Sequence, residues 1–185
     1  MIGPEAGTWQ WVALGATVFV MVTATVSDLR HGRIPNWLTY PATVFGIGVH
    51  ILAVAPWTEG LKDSLLGLLL GFGILFLAYM FGGIGGGDVK LAGCLGALVG
   101  LDVTGLGLLY MGLLGGLIAF GIMIWKGKLF ASLRRMGRFF FTALIPFLET
   151  EMPDERDSDP FPLGVAISGG FAWAIAEHFA GAQLF

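Results

Sequence analysis

Residues 103–125 read VTGLGLLYMGLLGGLIAFGIMIW, with no charged side chain along the run. The run exceeds the ~20 residues that a helix needs to cross the hydrocarbon of a bilayer. In hydrocarbon a lone segment must satisfy its backbone internally, which a helix does. Working outward, five more apolar runs are found at Trp9–Val26, Leu38–Ala55, Leu61–Phe81, Asp88–Leu101 and Phe161–Ala180. The expected fold is therefore all-α: a polytopic transmembrane helical bundle of about six spans, forming a single domain over residues 1–185. The fourth run is short, so it either tilts little or begins below the membrane surface.

Composition supports this reading. The chain has 185 residues, 56% hydrophobic and 12% charged, with a mean hydropathy of +0.81. A soluble domain carries about 25% charged residues, and a water-soluble fold of this size could not hide so much apolar surface. A net charge of −3 gives no global basic field, so nucleic acid is not an expected partner. With Cys94 alone, intramolecular disulfides and cysteine-clustered zinc sites are excluded. Neither a metal nor a cofactor is expected. Glu5 stands where a secretory leader would be basic, and the first apolar run is longer than a signal core.

Lysine and arginine set the orientation. Arg30 and Arg33 follow the first span, and Lys126, Lys128, Arg134, Arg135 and Arg138 follow the fifth. A six-span bundle puts both loops on one side, which is then cytoplasmic; Lys62 is the exception. Between the last two spans, Leu129, Leu133, Met136, Phe140, Leu144 and Phe147 recur at helical spacing opposite the three arginines. This predicts a cytoplasmic amphipathic helix lying at the interface, within a segment of about 126–160. The acidic run from Glu149 to Asp159 follows it, a solvated loop or an attractant for a basic peptide.

Charge at the edge of a membrane span is costly and points to function. Asp28 lies just past the first span and Asp88 opens the fourth, so the topology places both on the cytoplasmic side. Five glycines fall in the six residues before Asp88, in Gly82-Gly83-Ile84-Gly85-Gly86-Gly87. Such a run is a poor helix and suits a close backbone approach, so a peptide strand can lie against it. Lys90 can favour an ionised carboxylate nearby. Paired carboxylates hydrolyse peptides without a metal, thiol or serine: one takes a proton from water and the other polarises the carbonyl. The structural alternatives are that Asp88 caps the fourth helix and that Asp28 pairs with Arg30 and Arg33. Pro35-Asn36 breaks the chain before the second span, with Asn36 a candidate N-cap. His50 is placed toward the outer face, as an interfacial residue.

Gly85-Gly86-Gly87-Asp88-Val89-Lys90 matches the GxGDxK form found in type IV prepilin peptidases, members of the GxGD intramembrane aspartyl proteases. Asp28-Leu29-Arg30-His31-Gly32-Arg33-Ile34-Pro35-Asn36 resembles that family's first motif, an aspartate followed by a basic stretch and Ile-Pro-Asn. The resemblance implies an aspartic endopeptidase of the plasma membrane that cleaves the short basic leader of prepilins or pseudopilins on the cytoplasmic side. It assigns the catalytic role to Asp28 and Asp88. Gly85, Gly86, Gly87, Lys90, Pro35 and Asn36, which flank the aspartates in the two motifs, are the expected substrate-binding residues. Asp159-Pro160-Phe161-Pro162-Leu163-Gly164 loosely resembles the family's Pro-Phe-Gly-Pro segment, but the residue order differs and no role is carried over. The paired-cysteine region of the bifunctional, N-methylating members has no counterpart in this sequence. The compact form resembles the peptidases of tight-adherence (Tad/Cpa, Flp-type) pili.

Two other readings compete. A proton- or ion-coupled transporter would use Asp28, Asp88 and Lys90 at a broken helix. A non-catalytic pilus-assembly subunit would tolerate replacement of both aspartates. The pairs Gly67/Gly71, Gly96/Gly100 and Gly112/Gly116 are small-residue contacts that serve either the bundle or a homo-oligomer.

Overall fold

A computed structural model describes residues 7–54, 56–81, 84–125 and 163–182. Among these residues every regular element is an α-helix: α1 (Thr8–His31), α2 (Asn36–Ala53), α3 (Trp57–Met80), α4 (Gly86–Val99), α5 (Leu101–Trp125) and α6 (Leu163–Ala182). The helices follow the six expected runs with shifted ends. The amphipathic helix and acidic run expected over 126–160 lie outside the described residues, as do Gly82 and Gly83. The chain divides into two compact units. One holds Met1–Gly115 with Pro162–Phe185, and the other holds Gly116–Phe161. Of the second, the described residues are the helical stretch 116–125.

Among the described residues four helices are long and apolar enough to cross a membrane, α1, α3, α5 and α6, in keeping with the expected polytopic helical bundle. Helix α4 has 14 residues, about 21 Å at 1.5 Å per residue, against a hydrocarbon core of about 30 Å. The outer shell is apolar: Phe19, Val44, Leu69, Leu77 and Leu113 are all exposed. Water would not tolerate such continuous surface, whereas lipid does.

The helix ends follow from glycine and proline. Helix α1 stops at Gly32, whose left-handed backbone (φ 60°, ψ 26°) lets its N–H donate to Asp28 O at 2.8 Å. Helices α2 and α3 start after Pro35 and Pro56, both extended. Pro35 is thus the N-cap of α2, and Asn36 is its first helical residue, contrary to the expected cap. Gly100 (φ 82°) separates α4 from α5.

Helix α4 is the core of the first unit. From Leu91 to Val99 every residue is buried, and α1, α2, α3 and α6 all pack on it. Glycine makes the closest approach possible. A Cβ on Gly67 would strike Gly96 O, one on Gly96 would strike Gly67 O, and one on Gly71 would strike Ala92 O. These are backbone atoms that cannot turn aside, so the α3–α4 seam requires small residues. Ser64 Oγ donates to Ala97 O across the same seam at 2.7 Å. A Cβ on Gly112 would meet nothing within 4 Å among the described residues.

Candidate active site

The core helix begins at one polar cluster and ends at another. At its start, α4 opens two residues earlier than expected: Gly86 and Gly87 are helical, and Gly85 (φ −76°, ψ 145°) is the N-cap. Gly86 and Gly87 therefore open the first turn of a helix, and Gly85 before them is extended. Asp88 falls in that first turn, where the helix dipole favours negative charge, but it is not the N-cap. Its carboxylate folds back toward Gly85, where a Cβ would lie 3.0 Å from Oδ2.

Asp28 sits in the last turn of α1, three residues before its end. Helix α1 packs on α4, and the Asp28 carboxylate is close enough to act electrostatically on Asp88. The loop leaving α1 then lies against the start of α4. A Cβ on Gly87 would stand 3.3 Å from Ile34 Cβ and 3.4 Å from Ile34 N. A side chain at 87 would require the loop to give by a few tenths of an ångström. Ser27 Oγ donates to Arg33 O at 2.8 Å and pins the loop.

Lys90 Nζ donates to Asn36 Oδ1 at 3.0 Å and lies over the Tyr40 ring, 5.4 Å from its centroid. Its ammonium is thus committed to α2, where sequence reasoning had assigned it to a carboxylate. Among the described residues Lys62 pairs with Glu59, and His50 Nδ1 lies 3.6 Å from Asp63 Oδ2; neither Arg30 nor Arg33 forms an ion pair with Asp28. The two quoted motifs therefore meet at three places: Asp28 with Asp88, Ile34 with Gly87, and Asn36 with Lys90. Pro35 turns the chain between the last two. Among the described residues no group of three or more His, Cys, Asp or Glu side chains is arranged to hold a metal.

Sequence reasoning missed Ser27, Tyr40 and Gly164. The Gly164 N–H, in the first turn of α6, donates to Asp28 Oδ2 at 3.0 Å. The loose Pro-Phe-Pro-Leu-Gly match was the only signal for it. His50 lies at the end of α4 opposite Asp88, but it is buried, with Nε2 3.0 Å from Leu98 O and Nδ1 3.6 Å from Asp63 Oδ2.

A model of the type IV leader peptidase family matches residues 15–120. A prepilin leader peptidase/N-methyltransferase from Neisseria gonorrhoeae is 27% identical over 147 residues, which cover 73% of this chain and 50% of that protein. The chain thus spans about half the length of this curated relative. No solved structure matches.

Proposed function

Given that the chain belongs to the type IV leader peptidase family, we propose that it is an intramembrane aspartic endopeptidase. Its substrate is the leader junction of a type IV prepilin or pseudopilin, of the Flp/Tad type. The observation that carries this reading is the electrostatic coupling of the two aspartates at the start of a buried core helix, with Lys90 of the second motif bonded to Asn36 and neither aspartate in an ion pair among the described residues. Carboxylates in that condition keep lone pairs and a shared proton for chemistry.

The ionised member takes a proton from water, and the water oxygen bonds to the scissile carbonyl carbon. The protonated member donates to the carbonyl oxygen. Collapse of the tetrahedral intermediate breaks the C–N bond, and the leaving nitrogen takes a proton from the pair. Gly85, Gly86 and Gly87 carry no side chains, so a substrate strand can approach the backbone beside Asp88. A helical peptide bond is shielded by its own hydrogen bonds, so the leader junction unwinds before attack. Lys90 and Asn36, tied together, hold α2 against α4 beside that strand, with Pro35 shaping the turn. Arg30 and Arg33 beside the site support a cytoplasmic orientation in the plasma membrane, by the bias of lysine and arginine toward that side.

The test is leader removal from a co-expressed prepilin, followed by mass spectrometry. Wild type is expected to release the leader, whereas Asp28→Asn and Asp88→Asn insert normally and leave the prepilin uncut. Processing by either variant would falsify the dyad.

A further inference from the structure

Asp28 is gripped by a residue far away in the sequence. Gly164 N donates to its Oδ2 at 3.0 Å. The same glycine also sets the space around the carboxylate. A Cβ at 164 would lie 2.8 Å from Asp28 Oδ2 and 3.1 Å from both Asp28 Cβ and Cγ. The closest of these atoms, Oδ2, and Cγ beside it move by rotation about the Asp28 Cα–Cβ bond, whereas the Cβ contact needs a give of a few tenths of an ångström. By contrast, the collisions that a Cβ would cause at Gly67, Gly96 and Gly71 are with backbone. A methyl at 164 would therefore tighten the α1–α6 contact slightly, and its main effect would be to push the Asp28 carboxylate out of its place.

From this contact we propose that Gly164 is a positioning residue of the aspartate pair. Its N–H fixes which way the Asp28 carboxylate points, and its bare Cα leaves the room that this orientation needs. The proposal rests on the aspartic-peptidase reading above. It makes α6 a third wall of the site, beside the end of α1 and the start of α4. Two features suit helix α6 to this role. Its first turn aims free N–H groups at a carboxylate, and its body is anchored on α1 by Ser168 Oγ donating to Met21 O at 3.3 Å. The motif around Asp28 thus has its geometry fixed from outside itself.

Purified full-length protein in lipid vesicles, given a prepilin, tests this with Gly164→Ala. Misplacing one catalytic group by about 1 Å costs about 10²-fold in rate. The expected result is a fall of that order in kcat, with KM within about twofold of wild type. Gly181→Ala, on the same helix where a Cβ meets nothing within 4 Å, should leave both constants unchanged. Wild-type kcat in Gly164→Ala, with Asp28→Asn inactive, overturns the positioning role and leaves the dyad standing. Activity in Asp28→Asn overturns the dyad itself. A second measurement covers the folding alternative. If Gly164→Ala lowers the unfolding midpoint, Asp28→Ala should relieve most of that loss, because the closest contact, at Oδ2, is gone and only the 3.1 Å contact with Cβ remains. A loss that persists in full in the Asp28→Ala background overturns the proposal.

Discussion

The two ends of α4 carry the same ingredients and use them differently. At the C-terminal end a left-handed glycine, Gly100, stands beside Asp63 and His50. At the N-terminal end a left-handed glycine, Gly32, closes the turn that carries Asp28 toward Asp88. Asp63 is tied to its surroundings: Oδ1 accepts the Leu101 N–H at 2.9 Å, and Oδ2 lies 3.6 Å from His50 Nδ1. His50 in turn reaches Leu98 O. These contacts bring α2, α3 and the α4–α5 junction together. At the other end two carboxylates interact electrostatically, the nearby lysine is tied to Asn36, and one N–H from α6 holds Asp28. An acidic side chain that braces a helix junction is structural. A pair with no ion pair among the described residues is a candidate for reaction.

Isosteric neutralisation breaks this contrast most sharply. Asp28→Asn or Asp88→Asn should lower leader removal by at least about 10³-fold, the scale for losing a member of an acid–base pair, without loss of folded protein in the membrane. Asp63→Asn should do the opposite, cleaving at close to wild-type kcat while unfolding more readily in a detergent titration. A dead Asp63→Asn that folds normally would erase the distinction between the two ends.

Next comes the seam between them. Gly96→Ala forces a methyl into the Gly67 carbonyl, and overpacking of this kind costs about 1–3 kcal/mol. The unfolding midpoint should fall, and activity should fall in proportion to folded protein. Removing the Lys90 bridge is milder. Lys90→Met loses a hydrogen bond and a cation–π contact at an exposed position, each worth about 1 kcal/mol. The expected effect is a few-fold rise in KM, readable from initial rates. If Lys90→Met instead abolishes kcat, the lysine acts on the carboxylates and its placement against Asn36 and Tyr40 is not the working one. Smallest of all is Lys62→Met. Its pair with Glu59 is exposed, and such pairs contribute under about 1 kcal/mol, so both rate and stability should hold.

The helical bundle was legible because hydropathy over twenty residues leaves few alternatives, as the run 103–125 illustrates. The two aspartates were legible because charge at the edge of an apolar run is rare, and because both motifs keep their order. Three things were hidden. The true start of α4 was missed because glycine propensity argued against Gly86 and Gly87 being helical, and burial of the rest of the helix overrode it. The partner of Lys90 was misread because sequence proximity favoured Asp88, whereas the helix directs the lysine toward α2. The Gly164 contact joins residues too far apart for any local pattern, and a glycine donates through a backbone that leaves no trace in side-chain chemistry. His50 was misjudged for a related reason: its partners, Asp63 and Leu98 O, are brought to it by packing alone.

The central claim is that Asp28 and Asp88 form one site at one end of α4. Thiol cross-linking tests it directly. In a Cys94→Ser background, Asp28→Cys with Asp88→Cys is treated with a short bifunctional thiol reagent in native membranes, beside Asp63→Cys with Asp88→Cys. Helix α4 is about 21 Å long, so a reagent spanning a few ångströms should join 28 to 88 and leave 63 and 88 unlinked. Failure to link 28 with 88, or efficient linking of 63 with 88, would contradict the account.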